Sequence, residues 1–85
     1  MDREKVVGTI EEIVGPSIGR HMARSSVELH CRKAGVSSET VSQDQLRAVL
    51  EGLGKGMVVF VGREKTESLV RQIESALGLD GVRAS

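Results

Sequence analysis

The amino-acid sequence predicts an all-α fold: a small four-helix bundle with a Gly-Pro corner between its first two helices. Three observations predict it. In four segments the apolar residues return at intervals of three and four, which places them on one face of a helix. Ser42 and Gln45 form an S-x-x-Q capping box, a direct signature of a helix start. Only MVVFV, residues 57–61, has the β-branched character of a strand, and no other stretch reads as its pairing partner.

A chain of 85 residues has room for one domain, here residues 1–79, with a short frayed tail at 80–85. Its composition, 39% hydrophobic and 28% charged, is that of a globular protein rather than a disordered one. Phe60 is the only aromatic residue, so the core must be assembled from Val, Leu, Ile, Met and Ala. A chain this short buries a modest share of its surface, and association with further copies adds to it.

The first helix is expected over residues 2–14, with Asp2 as its N-cap. Val6, Val7, Ile10, Ile13 and Val14 line one side, while Glu4, Glu11 and Glu12 lie opposite. Gly15 and Pro16 read as the junction, because glycine suits the position after a helix and proline the first turn of the next. The second helix then covers residues 16–34. Ile18, Met22 and Leu29 form one stripe with Ser25 in line; Ala23, Val27, Cys31 and Ala34 form another on nearly the opposite side. A helix with two apolar sides sits between neighbours.

Gly35 ends that helix, and the polar loop GVSSETVS leads to the capping box. Val41 and Leu46 flank the box at the spacing of a hydrophobic staple. The extent of the third helix is the main structural question. Read locally, EGLGKGMVVFVG stops a helix near Gly52 and starts a strand. Read for phase, Leu46, Val49, Leu50, Leu53, Met57, Phe60 and Val61 keep one stripe straight through Gly52, Gly54 and Gly56. An interior glycine costs about 1 kcal/mol relative to alanine. A large apolar side chain contributes about 1.5–3 kcal/mol when buried. Phase therefore prevails, and one helix is expected from Ser42 to Val61, with scope to bend at the glycines. The fourth runs over residues 63–77 on Leu69, Val70, Ile73, Ala76 and Leu77. Gly78 closes it, with Leu79 folding back on Ile73.

Charge narrows the function classes. Twelve basic and twelve acidic side chains cancel, whereas a dedicated nucleic-acid binder needs a basic excess. The single cysteine, Cys31, forms no internal disulfide. The N-terminal stretch is charged throughout and has no apolar signal region. The longest apolar run, MVVFV, is far short of the roughly 20 residues that span a bilayer. A cytoplasmic protein with no membrane contact and no cofactor is expected.

GPSIGRHMARSSVELHCRKAG, residues 15–35, gathers the only proline, the only cysteine and both histidines, and so invites a search for chemistry. Helical geometry disperses it. At about 100° per residue, His21 and His30 project from opposite sides, and His30 points well away from Cys31. No further Cys or His completes the roughly four-ligand set of a zinc site. Cys31 sits mid-helix with no base in line and reads as a small buried hydrophobe. GLGKG has neither the spacing nor the strand–loop–helix setting of a phosphate loop. Glu11 and Glu12 are adjacent on an open face and form no acid/base pair.

The segments EEIVGPSIGRHMAR, VSQDQLRAVLEGL and VFVG, followed by a terminal amphipathic helix, resemble small all-helical modules appended to bacterial signalling proteins. The resemblance spans residues 10–77. It implies a non-enzymatic role in assembly or signalling, with no catalytic residue to carry over.

The expected function is therefore a protein–protein interaction module, not an enzyme, that binds a protein partner or further copies of itself, a dimer being favoured. Met22, Val27, Val58 and Val59 are the candidate interface residues, since four short helices do not readily enclose every apolar stripe. The competing reading is a helical nucleic-acid binder that contacts phosphates through Arg20, Arg24 and Arg32. Those arginines are better read as a solvated face, or as pairs with Glu4, Glu11 and Glu12 of the first helix.

Overall fold

The computed structural model describes residues 1–78, which form four helices: α1 (Arg3–Ile18), α2 (Arg20–Lys33), α3 (Gln43–Val61) and α4 (Arg63–Ala76). The expected tail at 80–85 and the fold-back of Leu79 lie outside the described residues. Each helix packs on its neighbour in sequence, and α4 closes the ring on α1. Val6, Val7, Ile10 and Val14 of α1 meet Ala23, Val27 and Cys31 of α2, Leu46, Val49, Leu50, Leu53 and Met57 of α3, and Leu69 and Ile73 of α4 in one core.

The corner between α1 and α2 is not at Gly-Pro. Helix α1 continues through Gly15 and Pro16 to Ile18. Proline's fixed φ is helical, and in the last turn it removes only the bond to the carbonyl of the exposed Glu12. Gly15, lacking a Cβ, relieves the usual crowding of the residue before proline. The chain turns instead at Gly19, with φ 94° and ψ 140°, backbone angles that side-chain-bearing residues avoid. Its N–H donates to the Gly15 carbonyl at 2.7 Å. Gly15 is buried, and a Cβ there would lie 3.0 Å from Arg20 Cγ, so its bareness lets α2 begin tight against α1. Helix α2 accordingly starts at Arg20 rather than Pro16. Gly62, at φ 84° and ψ 168°, repeats the device between α3 and α4. The Thr66 hydroxyl donates back to the Gly62 carbonyl at 2.7 Å.

Helix α3 is continuous for 19 residues through all three glycines, as its phase predicts. Its start is fixed by the full capping box: the Gln45 N–H donates to Ser42 Oγ at 3.1 Å, and the Ser42 N–H donates to Gln45 Oε1 at 3.0 Å. Val41 and Leu46 are both buried beside it. Phe60 departs from the expected stripe. It keeps phase but lies in the last turn of α3 and stays exposed.

The start of α1 is held by a contact that local pattern does not reveal. Asp2 occupies the N-cap position, but its side chain makes no capping bond. Residues 1–3 run antiparallel to the loop before α3 instead. The Arg3 N–H donates to the Glu39 carbonyl and the Val41 N–H to the Met1 carbonyl, both at 2.7 Å, with Asp2 bridged to Thr40.

Two clefts lie between the helices. His30 of α2 and Ala34, which caps that helix, share one with Ala48 and Gly52 of α3. Pro16 and Ser17 of α1 share another with Glu64 and Lys65 of α4. The two glycine corners therefore lie near one another, and the paired N-terminal residues lie at the opposite end of α1.

Candidate interaction surface

The two apolar stripes of α2 meet different fates. The stripe of Ala23, Val27 and Cys31 is fully buried against this chain's own helices. Val27, expected at an interface, is thus a core residue: a helix with two apolar sides needs only one of them for its own bundle. The opposite stripe faces out, with Met22 44% and Leu29 40% exposed. Together with Ile18, Gly19, His21, Ser25 and Ser26 they line a shallow groove along the outer side of α2.

A second apolar surface lies at the end of α3. Val58 is 42%, Val59 84% and Phe60 63% exposed. Val59 falls on the side of α3 that carries Ala48, Gly52 and Lys55, towards α2. Val58, about 100° further round, falls on the other flank.

The arginines are not assembled into one cationic face. Arg24 is engaged by three carboxylates: Nη1 donates to Glu11 Oε2 at 3.2 Å, Nη2 lies 3.6 Å from Glu4 Oε1, and Nε lies 3.9 Å from Glu28 Oε2. The hydrogen bond it donates to Glu11 and the charge of Glu4 raise its pKa, so the guanidinium is a cross-brace between α1 and α2. Glu12 has no part in it. Arg20 and Arg32 are exposed, one at each end of α2.

His30 has a structural setting that sequence spacing does not disclose. Its imidazole rests on Gly52 so closely that a Cβ at residue 52 would lie 2.5 Å from Nδ1. Burial, and then the charge of Lys33, lower its pKa below the ordinary 6.5. Cys31 is buried, and that burial raises its thiol pKa, which keeps it protonated. His21 is exposed on another side of α2. Among the described residues, no three of His, Cys, Asp and Glu are grouped to hold a metal ion. Nor is any described helix long and apolar enough to cross a membrane. GLGKG lies wholly within α3, so its amides are committed to the helix and cradle nothing.

The signal that separates the two stripes of α2 is residue size. The buried stripe is Ala, Val and Cys, small enough for close helix packing, while the outer one carries the long Met22 and Leu29. Compared with protein-family models, with curated proteins and with solved structures, the chain matches none.

Proposed function

We propose that the chain is a non-enzymatic protein–protein interaction module that self-associates through the outer face of α2 and the exposed end of α3. One observation carries the reading: Met22 and Leu29 lie opposite a core that is already filled and stay 44% and 40% exposed. A run of exposed large apolar side chains on a small domain marks an interface. Its resemblance to helical modules of bacterial signalling proteins supports assembly or signalling as the setting.

Sedimentation over a dilution series from millimolar to low micromolar tests the proposal. The mass is expected to fall from dimer to monomer across that range. A monomer throughout would overturn self-association.

A further inference from the structure

Met22, Ser25 and Leu29 of α2 are spaced by three and four, the alternation of a two-helix seam, and Ile18, in the last turn of α1, lines the same groove. The seam points away from Ala23, Val27 and Cys31, so a partner helix can sit on it without disturbing the core. One flank carries His21 and Glu28, seven residues apart and in line. The other carries Gly19 and Ser26, both small and uncharged. Glu28 lies 3.9 Å from Arg24 and its carboxylate remains partly exposed.

We infer that a second copy of this chain occupies the groove, with the two α2 helices antiparallel about a two-fold axis, so that His21 of each copy faces Glu28 of the other. The inference rests on the self-association proposed above and adds its geometry. Complementarity selects the direction. The next seam position after Leu29 is Arg32, and a parallel pair sets Arg32 against its own copy. An antiparallel pair moves the two Arg32 side chains to opposite ends and brings a donor, His21, to an acceptor, Glu28, on each side of the axis. Bulk agrees: antiparallel layers place the small Ser25 against the long Met22, where parallel layers stack Ser25 on Ser25. Area sets the strength. A helix of 14 residues is about 21 Å long. That seam alone is smaller than the roughly 800 Å² per partner of a standard interface. The pairing is therefore weak.

The test is a charge series at the exposed position 21, read as the dimer dissociation constant by sedimentation at low salt, with helicity measured alongside. His21→Lys, facing Glu28 twice, is expected to tighten the dimer about fivefold, and His21→Glu to weaken it about as much. In a Glu28→Lys background the two effects should exchange sign. If the unaltered chain dimerises but neither substitution changes the constant, or the sign does not exchange, the antiparallel seam is overturned while self-association stands. If the unaltered chain stays monomeric at millimolar concentration, both fall.

Discussion

At the scale of single residues, the contact of His30 with Gly52 is the most specific in the molecule. Phase puts His30 at the boundary of α2 and marks Gly52 as a costly residue for a helix. Neither fact says that one exists to receive the other, because that depends on the register of two helices joined by a long loop. Two predictions belong here. In the unaltered chain, Gly52→Ala must displace the imidazole, so the usual gain of about 1 kcal/mol from removing a helical glycine is cancelled or reversed. In a His30→Ala background the full gain should reappear. A double-mutant cycle by denaturant melting measures the difference. The second concerns pH. The folded chain holds the His30 pKa below 6.5. Between the unfolded and folded pKa values the unfolded chain then binds more protons. Stability contributed by neutral His30 is complete above about pH 6.5 and is lost as pH falls towards the folded value. Paired melts near pH 7.5 and pH 5.5 should show a smaller loss on acidification for His30→Gln than for the unaltered chain.

At the scale of elements, the four helices were legible because each keeps its apolar period and the capping box of α3 names its own first turn. The corner was not. Glycine and proline both mark helix boundaries, so Gly15-Pro16 competes on paper with Gly19, and apolar spacing carries no information about the sign of φ. The structure decides by conformation: Pro16 fits a last helical turn, and Gly19 and Gly62 take angles that suit only glycine. Gly19→Ala and Gly62→Ala should each destabilise the chain by about 1–3 kcal/mol. Gly56→Ala, in a helix with open space at the Cβ position, should stabilise it by about 1 kcal/mol. Urea titrations of the three variants check the opposite signs.

At the scale of the whole molecule, the sequence endows α2 with more apolar surface than one bundle needs. It could not show which side the bundle would take, since period fixes the angle between two stripes but not the direction of the core. Met22, Val58 and Val59 are exposed and Val27 is not. The two stripes should therefore answer differently to the same change. Met22→Glu should leave the melting transition intact and lower the sedimenting mass. Val27→Glu forces a carboxylate into a dry core and should abolish cooperative unfolding, because burying an unpaired charge is strongly unfavourable. Circular-dichroism melts alongside sedimentation separate the two outcomes.

With Gly19 and Gly62 each turning the chain within a single residue, α1–α2 and α3–α4 are two hairpins with almost no slack, linked by the stretch before Ser42. Within each hairpin the partners that must find one another are already close along the chain, so the entropy of search is small. Such a topology favours rapid collapse of two halves followed by a single docking event, and it makes residues 1–3, laced to that linking stretch, the clasp that fastens one half to the other.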